Sequence, residues 1–232
     1  MPWINSILQA LLWSAATIAL YLIGKAIYRR WTLWWTSPLI VTPLLLIVIA
    51  LTLHESYDEY IRETHWLVTL LGPATVAFAI PIWERRKLIR RYWPILIVGI
   101  LVGSATAICS AWALASLLSL NQSLRMSLLP RSISTPFAMP VSGRIGGVPE
   151  LTALFVIVTG VFGAAFGEVL IGMLRLKSAM ARGAMFGMGA HAVGTAKAYE
   201  LGREEGAVAG LVMALAGIGN VLAAPILLHI LR

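Results

Sequence analysis

The chain has 232 residues, of which 59% are hydrophobic and 12% charged, with a net charge of +8. A soluble domain carries about 25% charged residues, so this composition excludes a soluble globular fold. The apolar residues come in blocks of about twenty, the length that an α-helix needs to cross a bilayer. The sequence therefore predicts an all-α polytopic protein of the cell (inner) membrane, with the lipid bilayer around it.

The positive charge indicates membrane topology rather than nucleic-acid binding. Basic residues cluster in short stretches, chiefly Lys25–Arg30 and Arg85–Arg91, and cytoplasmic loops are enriched in Lys and Arg. Placing both stretches inside puts the N-terminus outside. The single cysteine, Cys109, lies in an apolar helix, so we expect no disulfide and no thiolate metal site. We expect no cofactor either.

The apolar blocks predict membrane spans in chain order at Trp3–Ile23, Pro38–Leu53, Trp66–Trp83, Trp93–Leu120, Leu151–Leu174, the partly polar stretch Ala184–Leu201 and Gly206–Leu231. The acidic stretch His54–His65 is expected to be an outside loop. Asn121–Glu150 is too polar for a plain span and too apolar for a free loop. Because orientation counting makes that segment begin and end outside, we predict a re-entrant segment. The total is about seven or eight transmembrane elements.

The orientations of these spans predict an inverted repeat within a single membrane domain, 1–232. An extra N-terminal helix covers 1–36, repeat 1 covers about 37–120 and repeat 2 about 150–231. Three spans run out, in and out in the first repeat, and in, out and in in the second. Many secondary transporters are built this way, with discontinuous helices that meet near the bilayer midplane.

The middle helix of each predicted repeat contains residues that an intact membrane helix does not need. Gly72-Pro73 interrupts Trp66–Trp83, where proline removes a backbone donor. Ala184–Leu201 holds His191 and several glycines. In lipid, irregular backbone survives only where protein or water covers it. Two discontinuous helices that line a polar cavity are therefore predicted, although glycine and proline can also simply kink helices for packing.

Two half-helix N-termini aimed at one point predict a binding site for a small carboxylate. The N-terminus of a helix exposes unpaired N–H groups and a partial positive charge, so it attracts anions. Nearby hydroxyl groups can add donors. The predicted site residues are Gly72, Pro73, Ala74, Thr75, Ser134, Thr135, His191, Gly194, Thr195 and Lys197.

Three ionisable residues each have two open interpretations. His191 can carry a coupling proton or be a neutral packing residue. Glu168 can carry a coupling proton or pair with a basic side chain. Lys197 can act on substrate or ion, or extend to the interface.

Several motifs together resemble the LrgB/CidB family, whose plant relatives are plastid glycolate/glycerate transporters. They are Leu71–Pro81, Arg131–Met139, Gly146–Pro149, Ala181–Gly183, Gly189–Ala198 and Glu205–Ala207. The chain departs from the pattern at Ala209-Gly210, where a small polar pair is expected, and at Glu168, where a Gly-Pro-like turn is expected. These departures leave the substrate and any coupling ion open.

The resemblance implies a small membrane partner of the LrgA/CidA type. Some family members are described as holin/antiholin-like regulators of murein hydrolase and cell lysis, and others are linked to movement of glycolate, glycerate or pyruvate. We therefore predict a transporter, either a secondary transporter or channel-like, for small monocarboxylates such as glycolate, glycerate, lactate or pyruvate, and no enzyme activity. The alternative is a holin/antiholin-like regulator of murein hydrolase export and lysis. A homo-oligomer is also possible.

Overall fold

The computed structural model describes residues 2–31, 34–54 and 56–230. These residues are almost entirely helical and contain no β-strand. The chain divides into two compact units, residues 1–73 and residues 74–232, and each is described by itself. The boundary falls inside the first predicted repeat.

The first unit is built on a long N-terminal helix that packs against two shorter ones. Its helices are α1 (Pro2–Arg30), α2 (Pro38–Leu53) and α3 (Tyr57–Thr69), with a 3-10 turn at Trp34–Thr36. The indole of Trp66 on α3 donates to Ser14 Oγ on α1 at 2.8 Å. The rings of Trp13 and Tyr60 meet edge to face with centroids 5.4 Å apart. One hydrogen bond and one aromatic contact thus fix α3 on α1.

The acidic stretch His54–His65 was expected to be a loop, and this prediction is wrong. Most of it belongs to α3, which Ser56 caps. Ser56 Oγ accepts from the backbone N–H of Glu59, and the Glu59 carboxylate accepts from the backbone N–H of Ser56. This capping box satisfies two orphan donors at a helix start, so the Ser-x-x-Glu spacing outweighed the polarity of the stretch. Glu55 lies outside the described residues.

The second unit holds the remaining helices and the buried core. They are α4 (Leu71–Ala77, which begins just before the boundary), α5 (Ala79–Glu84), α6 (Arg86–Leu117), α7 (Gln122–Leu128), a 3-10 turn (Leu129–Ser132), α8 (Thr135–Ile145), α9 (Pro149–Leu174), α10 (Ala179–Leu201) and α11 (Arg203–Ile230). α10 packs most extensively against α11 and then against α9. α10 carries four of the predicted site residues, His191, Gly194, Thr195 and Lys197.

Five helical runs in the described part are long and apolar enough to cross a membrane. They are Leu8–Arg30, Asp58–Glu84, Arg86–Leu117, Pro149–Leu174 and Arg203–His229. α2 is apolar but has only 16 residues, which is short of the 17–25 that a span needs. The predicted total of seven or eight elements and the inverted repeat therefore stay predictions.

The ambiguous segment 121–150 folds into two short helices around the 3-10 turn. α7 has 7 residues and α8 has 11, and neither reaches the length of a membrane span. Leu129, Ile133 and Phe137 from this segment are buried in the main core cluster. The segment is thus an interior part of the unit, and the side from which it enters stays a prediction.

Small residues let α10 approach its neighbours closely. A Cβ on Gly183 or Gly187 would run into backbone carbonyls of α11, those of Glu205 and Ala209 respectively. Membrane helices associate through such small-residue contacts because lipid provides no hydrophobic drive between them. The tight packing fixes the first half of α10 against α11.

Candidate functional site

The centre of the candidate site is a break in α10 at His191. This residue has φ 38° and ψ −119° inside an otherwise helical run, which divides α10 into 179–190 and 192–201. A side chain held at such a positive φ costs of order 1–3 kcal/mol. His191 is also only 2% exposed. A strained, buried break of this kind persists only where its surroundings determine it, and such positions cluster at functional sites.

Two glycines make the break possible sterically. Gly160 of α9 faces the imidazole, and a Cβ built there would lie 2.9 Å from His191 Cε1 and 2.8 Å from Val193 Cγ2. A Cβ on Gly194 would meet the carbonyl oxygen of Phe186 and lie 2.7 Å from the Ala190 Cβ. Both positions therefore exclude any larger residue unless the break itself moves.

Two buried neutral polar atoms of the second unit lack hydrogen-bond partners among the described residues: His191 Nε2 and Ser134 Oγ. Ser134 is 2% exposed and occupies the N-cap position of α8, yet its hydroxyl makes no capping bond. Buried polar atoms are nearly always satisfied. The two atoms are thus candidates for contact with a bound ligand.

The predicted threonines lie next to these features. Thr195 Oγ1 donates to the backbone oxygen of His191 at 2.8 Å, so its hydroxyl is engaged by the break itself. Thr75 Oγ1 donates to the backbone oxygen of Pro136 at 3.5 Å. This contact brings Thr75 to the first turn of α8, beside Thr135.

Lys197 and Glu168 contact each other and not the buried break. Lys197 Nζ lies 3.2 Å from Glu168 Oε1 and 3.0 Å from Glu200 Oε2. The Glu168 side chain is 57% exposed. Of the two interpretations left open for Glu168, the geometry favours pairing with a basic side chain. It likewise favours an ion-pairing role for Lys197.

The first predicted break has a different position and character. Gly72, Pro73 and Ala74 all lie inside α4, which begins at Leu71. The interruptions fall on either side, at Leu70 (φ −67°, ψ −13°) and Phe78 (φ −65°, ψ −12°). Both have ordinary right-handed dihedrals. That this region meets the His191 break near the midplane stays a prediction.

Sequence reasoning missed Arg131 and Thr159 as members of this region. Arg131 lies in the 3-10 turn and its Nη1 donates to Thr159 Oγ1 at 3.4 Å. The turn also contacts α10, the helix that carries His191. A lone arginine within the buried core of a membrane protein was the available signal, since charges there are rare and usually functional.

A helical chain with five runs able to cross a bilayer and a buried polar break between its helices is a multi-pass membrane protein. The chain belongs to the LrgB-like family, whose model matches residues 17–230. It is a multi-pass protein of the cell membrane.

Individual relatives cover nearly the whole chain. The uncharacterized protein YwbG of Bacillus subtilis (strain 168) is 41% identical over 212 residues, which are 91% of this chain and 94% of the relative. The uncharacterized protein YxaC of the same strain is 32% identical over 87% of this chain and 88% of the relative. The holin-like protein CidB of Staphylococcus epidermidis (strain ATCC 12228 / FDA PCI 1200) is 31% identical over 97% of this chain and 98% of the relative. No solved structure matches the chain.

Proposed function

We propose that this protein is a secondary transporter for small monocarboxylates such as glycolate, glycerate, lactate and pyruvate. The observation that carries the proposal is the buried break at His191, where Nε2 has no partner among the described residues. Discontinuous helices with polar groups at the break form the substrate sites of many secondary transporters.

The second half of α10 provides an anion-binding end. Residues 192–201 continue as helix after the break, and the first N–H groups of a helix have no partner within it. Gly194 is buried close to this end, and its lack of a side chain lets Phe186 and Ala190 pack against the backbone there. Those N–H groups and the helix dipole together favour a carboxylate.

Two neutral polar groups of the same unit fit the rest of such a substrate. His191 Nε2 and Ser134 Oγ are unpartnered among the described residues, and each can exchange a hydrogen bond with a 2-hydroxyl or keto oxygen. Rocking of one group of helices against another would alternate access. His191 is also the coupling-proton candidate, whereas Glu168 is the weaker one because Lys197 already pairs with it.

A small membrane partner of the LrgA/CidA type completes the proposal. The support is the family membership and the resemblance of the motifs. The second candidate function, a holin/antiholin-like regulator of murein hydrolase export and lysis, is favoured by the name of the CidB relatives, "holin-like protein". A lytic pore, however, has no need for a strained break with buried unpartnered polar atoms.

Uptake of labelled glycolate by proteoliposomes tests the proposal, with and without the small partner. We expect saturable uptake that is lost in His191→Ala and strongly reduced in Thr195→Val. The matched control is His229→Ala, since His229 is exposed at the end of α11, and its uptake should equal that of the unaltered protein. Unsaturable leakage of glycolate together with unrelated dyes would instead support the pore.

A further inference from the structure

The 3-10 turn Leu129–Ser132 places a positive charge inside the second unit. The turn contacts α6, α7, α8, α9 and α10, and its residues Leu129, Pro130 and Ser132 are all buried. Arg131 is therefore only partly exposed and lies among helices rather than at a free surface. A charge inside a membrane protein is costly unless something compensates it, and it marks a functional site by default.

Arg131 differs from the other partly buried arginines of this unit in what compensates it. Arg182 pairs with the carboxylate of Glu205. Arg125 stacks over the Trp112 ring at 4.9 Å and donates to the backbone oxygen of Leu120. Among the described residues, no carboxylate lies within ion-pair distance of Arg131, and its single side-chain hydrogen bond, to Thr159, is long at 3.4 Å.

The guanidinium of Arg131 is also open to a ligand. An arginine has five N–H donors in a planar fork, and Thr159 uses one nitrogen of this fork. In the described part of the chain, some buried side-chain atoms lack a hydrogen-bond partner, and no nitrogen of Arg131 is one of them. The Arg131 nitrogens without a hydrogen bond are therefore accessible, which is the arrangement that an incoming anion requires.

Two neighbouring contacts tie this cation to the break in α10. Thr159 is followed on α9 by Gly160, which faces the His191 ring. The turn that carries Arg131 also contacts α10, the helix of His191. Ser134, three residues after Arg131, holds the second buried unpartnered oxygen. The cation thus comes from the turn, and the two neutral unpartnered groups come from the N-cap of α8 that follows it and from α10, which contacts the turn.

We propose that Arg131 binds the carboxylate of the substrate, with His191 and Ser134 contacting its neutral oxygen. This inference rests on the proposed function and names the residue that supplies the charge. Guanidinium and carboxylate match in a two-pronged geometry that a lysine cannot reproduce. A single cation selects an acid with one carboxylate, since Lys197, a basic residue on the same helix as His191, is already paired with Glu168 and Glu200.

Calorimetric binding of glycolate and of its uncharged analogue glycolamide to the purified full-length protein tests the assignment. We expect the unaltered protein to bind glycolate at least about tenfold more tightly than glycolamide, because hydrogen bonds between charged groups are stronger than neutral ones. Arg131→Gln should abolish this preference. Arg144→Gln, an exposed arginine on α8, is the matched control and should keep it.

The ratio of the two affinities separates a binding role from a structural one. Loss of the preference only in Arg131→Gln supports the proposal, and a preference that persists in Arg131→Gln or is missing in the unaltered protein overturns it. Where Arg131→Gln fails to fold, Arg131→Lys decides. Weaker glycolate binding with unchanged glycolamide binding supports the role, whereas an equal change in both, or no change, overturns it.

Uptake by proteoliposomes from the same preparations distinguishes this inference from the proposed function. Preferential glycolate binding without uptake would contradict transport and leave the Arg131 site standing. Saturable uptake with an unchanged KM in Arg131→Gln would support transport and contradict the Arg131 site.

Discussion

The two interrupted stretches of the chain, around Leu71–Ala77 and around His191, differ in backbone and in packing. The residues that interrupt the first, Leu70 and Phe78, have ordinary helical dihedrals, whereas His191 has a positive φ. Among the described residues outside the adjoining turns of α4, no heavy atom lies within 4 Å of a Cβ built on Gly72, while one on Gly194 would collide with Phe186 and Ala190.

This difference shows that an interruption and a site are separate properties. A helix can be interrupted by proline chemistry alone, and nothing else need be organised around the interruption. The break at His191 combines strain, burial and unpartnered polar atoms. Only this combination gives a preorganised place for a ligand, so substitutions at the break should behave differently from substitutions in ordinary helix.

The largest expected difference is between alanine substitutions at Gly194 and Gly72. Gly194→Ala should lower the free energy of unfolding by about 1–3 kcal/mol, because overpacking a filled position forces its neighbours to move. Gly72→Ala should be neutral or stabilising by up to about 1 kcal/mol, since alanine is the better helix former. Thermal unfolding in detergent, followed by tryptophan fluorescence, measures both. Equal effects would remove the distinction between the two stretches.

The next contrast lies along α9, between Gly160 and Gly172. Gly160→Ala places a methyl group 2.9 Å from His191 Cε1 and should raise the KM for glycolate uptake by about tenfold or more, since small displacements at a site are costly. A Cβ built on Gly172 has no described heavy atom within 4 Å, and Gly172→Ala should leave KM unchanged. An unchanged KM in Gly160→Ala would show that the ring position is irrelevant to substrate.

A smaller difference in stability is expected between two substitutions of His191. His191→Gly and His191→Ala both remove the imidazole and should both abolish uptake. Glycine tolerates a positive φ and alanine does not, so the glycine variant should be the more stable of the two by about 1 kcal/mol. Denaturation of the two purified variants checks this. A more stable alanine variant would mean that the break is not strained.

The smallest effect is expected for Lys197→Gln. Its partners Glu168 and Glu200 are both largely exposed, and exposed ion pairs contribute at most about 1 kcal/mol. Unfolding and uptake measurements should therefore differ little from those of the unaltered protein. A large rise in KM for glycolate would indicate that Lys197 contacts the substrate.

Composition and apolar block length were sufficient to predict an all-α membrane protein, and the structure and family membership confirm it. The span count was harder to predict, because the apolar residues of short helices such as α7 and α8 pack into the protein core and do not face lipid. α3 was missed because the acidic residues that stabilise its first turn were interpreted as loop residues, although Ser56 and Glu59 have the capping-box spacing.

The centre of the candidate site was predictable because His191 and Gly194 interrupt an apolar run. Arg131 was not selected, because only the fold shows that the arginine is enclosed by helices and lacks a carboxylate partner among the described residues. Lys197 was given too much weight as a substrate residue for a similar reason. Spacing along the chain does not reveal the ion pair that Lys197 of α10 forms with Glu168 of α9.

The most direct test of carboxylate transport is countertransport in proteoliposomes that contain the purified protein and, in a second set, the proposed small partner as well. A carrier exchanges substrate, so vesicles preloaded with unlabelled glycolate should take up labelled glycolate faster than empty vesicles do, and His191→Ala should remove this acceleration. Uptake that preloading does not accelerate, in vesicles that also leak unrelated dyes, would contradict a carrier and indicate a pore.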